Sequence, residues 1–314
     1  MSTSRDLKID GLKFIMIYCV VLGHLVYNDY GLLLNQIIYV FHMPVFIFVS
    51  GYVTSLKSDT KHHLHWLKKT LIVYFIAQIL HLLYSYIHGY HFTIYNLFHP
   101  AIAMWYIVCL IIWRFAIWSI FKKTDDKLLF IISIVLAFFA GFVPIDDDIS
   151  FQRAFSFFPF FVMGVIFKKR KLMERLEQIP MSYAVIALLV CAIAGRLFPQ
   201  YYMPHLHYTD WNDPITRIFQ TSIAFIACLA VVRLSRVDFT KHFARFGQYT
   251  LWVFIGHTFL VRENFLENFL DDHFGYELNI FEAQIVCIVY CFIFIGLAML
   301  YHRIFDKKCS EHNN

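Results

Sequence analysis

Apolar stretches of about 17 to 25 residues, the length needed to cross a hydrocarbon layer of about 30 Å, recur along almost the whole chain. They fall near residues 9–28, 33–56, 67–88, 100–121, 128–145, 154–168, 180–198, 214–233, 248–265 and 280–302. Inside a bilayer every backbone N–H and C=O must find its partner within the protein, so segments of this kind are helices. Ten spans occupy most of the 314 residues and leave no room for a separate soluble domain, so residues 1–314 read as a single membrane-embedded domain. The composition agrees: 59% of residues are hydrophobic and 16% are charged, against about 25% charged in soluble domains. That excludes a disordered chain, a collagen-like repeat and a soluble metabolic enzyme. The predicted fold class is an all-α integral membrane protein of about ten transmembrane helices. The 154–168 stretch is short and carries Pro159 and Gly164, so a broken, tilted or re-entrant segment fits it as well as a straight span.

Charge sets the orientation. Of the 27 Lys and Arg residues, 22 lie before the first span, in every second connection, after the last span, or in the ends of the spans that adjoin these segments. They run from Arg5 and Lys8 through Lys57 to Lys69, Lys122 to Lys127, Lys168 to Arg175 and Arg233 to Arg245, ending with Arg303, Lys307 and Lys308. The opposite connections carry Asp146, Asp147, Asp148, Asp210, Asp213, Glu263, Glu267, Asp271 and Asp272. The positive-inside rule then places both termini in the cytoplasm, in a multi-pass protein of the cell membrane. The first span lacks a small-residue cleavage site and nine more follow it, so it does not read as a signal peptide.

Six of the seven cysteines sit inside apolar runs, without a CxxC pair, and read as small hydrophobes. There is no HExxH, Walker loop, GxSxG elbow or EF-hand loop. No metal site is expected, although His62, His63 and His65 lie close together. The basic clusters fit membrane topology and not a nucleic-acid surface.

Polar residues inside the spans carry the functional information, because each needs a partner or a watered cavity. His24 lies late in the first span, about 20–25 Å along the helix from Lys8 at about 1.5 Å per residue. His42 lies about nine residues into the second span from the other side, at comparable depth, followed by Pro44, which suits a bend. An interhelical hydrogen bond is the plain alternative for either histidine. Asn28, Asp29, Arg153, Arg196, Arg217 and His257 are further polar groups toward the outer side, and Arg114 lies in the inner half of the fourth span. For Arg114 and Arg196 snorkelling to the interface is the simpler reading. Lys68 and Lys69 open the third span, either as positive-inside anchors or as point charges for phosphates.

RDLKIDGLKFIMIYCVVLGH (Arg5 to His24) followed by FHMPVFIFVSGY (Phe41 to Tyr52) resembles the type 3 integral-membrane acyltransferases, and within them the fucose 4-O-acetylase-like acetyltransferases. HWLKKTLIVYF, AMWYIVCLIIWR, QRAFSFFPFFVMGVIF and FGQYTLWVFIGHTF agree in order. The resemblance implies a ten-helix enzyme that uses cytoplasmic acyl-CoA, usually acetyl-CoA, to acylate a hydroxyl of a cell-envelope carbohydrate or lipid-linked sugar. It implies a catalytic role for His24, with His42 as a second candidate. It associates Lys68 and Lys69 with the CoA phosphates and matches Trp105 to the family's Trp-Phe pair, here Trp105-Tyr106. Arg153 and Pro159 match a segment common in the sugar acetylases. The family's arginine near Lys69 and proline near Val73 are absent from KTLIVY, so the bidentate fork of an arginine is lost there.

Thioester-to-alcohol transfer needs a general base, oriented substrates and stabilisation of an oxyanion. Histidine suits the base. The expected architecture has an intramembrane active-site cavity bounded by spans one, two and three, with His24 as base and His42 as orienter or oxyanion donor. Trp105 goes with the donor; Asn28, Asp29, Arg153 and His257 go with the acceptor or its channel. Ser50 is a candidate for an acyl intermediate. The alternative function is a polytopic transporter or flippase of an envelope precursor, which should show paired broken repeats that the chain lacks.

Overall fold

A computed structural model describes residues 5–25, 32–55, 59–87, 99–145, 150–197, 207–261, 270, 273–276 and 278–311. Among them the regular structure is helical, with no strand. The α-helices are α1 (Leu7–Leu25), α2 (Leu32–Val53), α3 (Thr60–Ile87), α4 (Trp105–Phe115), α5 (Asp126–Ala140), α6 (Phe151–Ser156), α7 (Phe158–Lys169), α8 (Leu172–Glu177), α9 (Met181–Leu197), α10 (Asp213–Leu234), α11 (Thr250–Val261) and α12 (Ile280–Glu311). A helix thus stands at every apolar stretch, and the 154–168 stretch is broken at Phe157 between α6 and α7. Among the described residues, four segments are long and apolar enough to cross a membrane by themselves: Leu34–Val53, Thr60–Ile87, Asp213–Leu234 and Ile280–Ile304. Trp105–Ile120, Met181–Gly195 and Thr250–Phe259 are shorter apolar helices.

The outward faces show what solvent the fold is built for. Ile72, Ile76, Ile79 and Leu83 form an exposed stripe on α3, and Ile285, Ile288, Phe292 and Leu300 lie exposed on α12. In water such stripes would drive association; in lipid they match their surroundings. The protein is a multi-pass, all-α integral membrane protein.

The helices form two compact units, Met1–His42 with Leu234–Asn314, and Met43–Arg233. In the first, Asp6 caps α1, accepting from the backbone N–H of Lys8 at 3.0 Å and Ile9 at 3.2 Å, and pairs with Arg236 at 2.9 Å. The buried Asp10 pairs with Arg5 and, at 2.8 Å, with Lys13. A Cβ on Gly11 would collide with the Thr240 carbonyl, and one on Gly247 with the Asp10 carbonyl. Only glycine lets α1 lie directly on the 3-10 turns Asp238–Phe243 and Phe246–Gln248. Phe14 fills the joint against Phe243, Phe246 and Phe292. Asn279 and Glu282 open α12 as a reciprocal cap: Asn279 Oδ1 accepts from Glu282 N and Glu282 Oε2 accepts from Asn279 N, both at 3.0 Å.

In the second unit, α2 beyond His42 crosses α7 backbone to backbone. A Cβ on Gly51 would strike the Phe161 carbonyl, and one on Gly164 the Phe48 carbonyl. Small residues at a crossing are how helices approach closely in lipid. Asp125 caps α5, and the buried Asp126 beside it takes Lys169 at 2.7 Å and Arg170 at 2.5 Å, tying the start of α5 to the end of α7. Gln78 of α3 holds the approach to α4 through the His99 carbonyl at 2.7 Å and the Ala101 N–H at 3.0 Å. Arg217 donates to the Ala137 carbonyl at 3.2 Å and stacks 4.5 Å from the Tyr208 ring.

Candidate active site

Two histidines of the first unit, His24 and His42, contact one tyrosine, and a third, His257, packs on His24. Gly23 makes this possible: a Cβ there would press on Ile38 at 3.1 Å and on the Tyr39 ring at 3.3 Å. Asn35 Nδ2 donates to the Gly23 carbonyl at 2.5 Å, which clamps the end of α1 to α2. His24, the next residue, then has the Tyr39 hydroxyl 3.4 Å from its Nδ1. The same tyrosine ring makes a T-shaped contact with His42, centroids 4.7 Å apart. His257 of α11 lies on the other side of His24, with ring centroids 5.5 Å apart.

The glycine before His257 repeats the device. Tyr290 Oη donates to the Gly256 carbonyl at 2.6 Å, and a Cβ on Gly256 would collide with the Phe294 ring. Each Gly-His dipeptide therefore sits where a neighbouring helix touches the glycine and a side chain binds its carbonyl.

Tautomers follow from the partners. His42 Nδ1 lies 2.9 Å from the Ile38 carbonyl and His257 Nδ1 lies 2.6 Å from the Phe254 carbonyl. A carbonyl only accepts, so both Nδ1 atoms carry hydrogen and both neutral rings keep a basic Nε2 lone pair. His42 and His257 are buried, whereas His24 is half-buried.

In the second unit, Trp105 opens α4, stacked on Phe157 with centroids 5.6 Å apart, and the Arg153 guanidinium lies 5.2 Å from its ring. Trp105 and Arg153 are thus brought together. The adjacent Tyr106 shares a 2.5 Å hydrogen bond with Ser50. Lys68 and Lys69 are exposed on α3, and Lys68 borders an open apolar groove running from Leu64 to Ile79. Pro159 lies in the first turn of α7. Asn28, Asp29, Asp146 to Asp148 and the side chain of Arg196 lie outside the described residues. Among the described residues, no group of three or more His, Cys, Asp or Glu side chains is arranged to hold a metal ion.

Tyr39 is the site residue that sequence reasoning missed, since nothing marks it among 19 tyrosines. The second Gly-His dipeptide at Gly256-His257 was a signal that could have joined His257 to His24.

A family model described as an acyltransferase domain, type 3, matches residues 6–303. The protein belongs to this family of membrane acyltransferases, and its enzymatic class is acyl transfer. Membership implies a donor of the acyl-CoA kind. No curated protein and no solved structure matches the chain.

Proposed function

We propose that the protein is an O-acetyltransferase of the fucose 4-O-acetylase-like kind, moving acetyl from cytoplasmic acetyl-CoA to a hydroxyl of a cell-envelope or exopolysaccharide sugar, free or lipid-linked. In this reading residues 1–314 form one domain of about ten transmembrane helices with an intramembrane cavity and both termini in the cytoplasm. The observation that carries it is the meeting of His24 with Tyr39 and His257, with His42 on the same tyrosine, in a member of an acyltransferase family.

His24 is the general base, its Nδ1–H turned to the Tyr39 hydroxyl and its Nε2 toward the acceptor. The acceptor hydroxyl gives its proton to Nε2 as its oxygen attacks the thioester carbonyl carbon. The tetrahedral oxyanion collapses with cleavage of the C–S bond, and the departing thiolate takes the proton from the His24 imidazolium. CoA leaves as the thiol and nothing stays on the enzyme. His42 has committed its Nδ1–H to Ile38, so it orients through its ring contact with Tyr39 and donates to an oxyanion only after protonation. His257, Arg153, Asn28 and Asp29 are assigned to the acceptor or its channel. Trp105, Lys68 and Lys69 serve the donor, the lysines as positive charge for the CoA phosphates.

The test is release of CoA from acetyl-CoA by the purified protein in lipid nanodiscs, across a panel of envelope sugars. Acceptor-dependent release with an acetylated sugar as product is expected. Transport of a sugar precursor with no consumption of acetyl-CoA would contradict the reading.

A further inference from the structure

Arg114, in the last turn of α4, is almost fully buried, 8% exposed, which is costly for a guanidinium unless an anion or a full set of acceptors meets it. Its planar group lies 4.0 Å over the Trp66 ring, and its Nη2 donates to His62 Nε2 at 3.4 Å. Its Nε is buried without a hydrogen-bond partner among the described residues. Lys168, in the last turn of α7, reaches the Thr54 carbonyl at 3.1 Å and lies close enough to Arg114 for the two charges to repel. Among the described residues, no Asp or Glu pairs with either cation. Other cations of this unit differ: Lys169 and Arg170 share Asp126, and Arg217 has a backbone carbonyl and a tyrosine ring. A π-helical turn, Ala116–Ile120, begins just after Phe115, two residues beyond Arg114, a feature that gathers at functional sites.

We infer that Arg114 and Lys168 form a binding site for a phosphoryl group, with His62 and Trp66 as positioning residues that fix the plane of the guanidinium. Two unneutralised cations call for an oxyanion that carries more than one charge, and the guanidinium fork matches phosphate oxygens in pairs. The ligand assigned is a phosphoryl group of the donor's nucleotide, which rests on the reading of acetyl-CoA as donor; a phospholipid headgroup offers the same chemistry. Lys69 stands three residues after Trp66, on the same side of α3, so its exposed charge adds to the approach while Arg114 makes the tight contact.

The experiment titrates CoA, 3′,5′-ADP and inorganic pyrophosphate into the full-length protein in phosphatidylcholine nanodiscs, for wild type, Arg114→Gln, Lys168→Gln and a Lys68→Gln, Lys69→Gln double variant. Loss of a charge-assisted contact is expected to weaken 3′,5′-ADP binding about ten-fold or more in Arg114→Gln and Lys168→Gln. The exposed pair is expected to cost about two-fold, and less at high salt. Lys168 is only half-buried, so its variant decides the matter if Arg114→Gln unfolds. Unchanged affinity for every probe in folded Arg114→Gln and Lys168→Gln overturns the site. CoA bound equally by all variants overturns the site and leaves the donor reading standing. Pyrophosphate bound through Arg114 with no binding of CoA supports the site and overturns the donor reading. No binding of any probe by wild type overturns both. In nanodiscs containing phosphatidylglycerol, loss of nucleotide binding by wild type assigns the site to a lipid headgroup, and retention assigns it to the donor.

Discussion

Tyr39 touches His24 through its hydroxyl and His42 through its ring, so the two contacts separate by substitution. Tyr39→Phe keeps the ring and removes only the hydrogen bond that fixes the His24 ring. At about 0.5–1.5 kcal/mol for such a bond, turnover is expected to fall about two- to ten-fold, with KM for acetyl-CoA unchanged. Steady-state kinetics in nanodiscs check this, and an unaltered kcat would contradict it. His24, His42 and His257 were legible as site candidates because an ionisable group in an apolar run needs a reason. That His257 lies against His24 was not legible, because the two are far apart in the chain and only tertiary packing joins them. Lys68 and Lys69 show the opposite limit: their charge is plain in the sequence, yet both face outward, while Arg114, a snorkelling candidate by sequence, is buried on Trp66.

At the level of elements, glycines set how closely helices cross. Gly51→Ala and Gly164→Ala each force a methyl into a facing backbone carbonyl, so each is expected to cost about 1–3 kcal/mol. Lower thermal unfolding midpoints would show it, and an unchanged midpoint for both would refute the crossing. The Asp126 link between α5 and α7 depends on pH. Burial pushes the Asp126 carboxyl up, but the hydrogen bonds and charges of Lys169 and Arg170 outweigh it and hold the group below the usual carboxylate range. A depressed carboxylate stabilises the fold above the unfolded pKa of about 3.9 and loses that contribution as pH falls through the folded value. Asp126→Asn is therefore expected to unfold more readily than wild type at pH near 7, with the gap closing only below about pH 4. Thermal melts across that range check it, and a gap independent of pH would argue against the link. The helices themselves were legible because apolar length alone demands them. So was the weakness of the 154–168 stretch: Pro159 has no N–H for the Phe155 carbonyl, and the helix stops at Ser156 and restarts at Phe158. The faces were not legible, because α1 is apolar almost all round and its 3.6-residue period does not say which side meets α2, α11 or α12.

For the molecule as a whole, apolar stripes outside and a histidine cluster inside the first unit fit an enzyme that works within the bilayer. Chain-wide patterning gives a multi-pass helical membrane protein and family membership gives acyl transfer, while the acceptor leaves no mark that helix patterning would reveal. The central claim is that His24 is the base. Its most direct test is acetyl-CoA turnover by His24→Ala beside wild type, both in nanodiscs at matched protein and with matched thermal unfolding. Loss of a general base is expected to slow transfer about 10²–10⁴-fold while the variant still inserts and still binds acetyl-CoA. Turnover within a few-fold of wild type would contradict it.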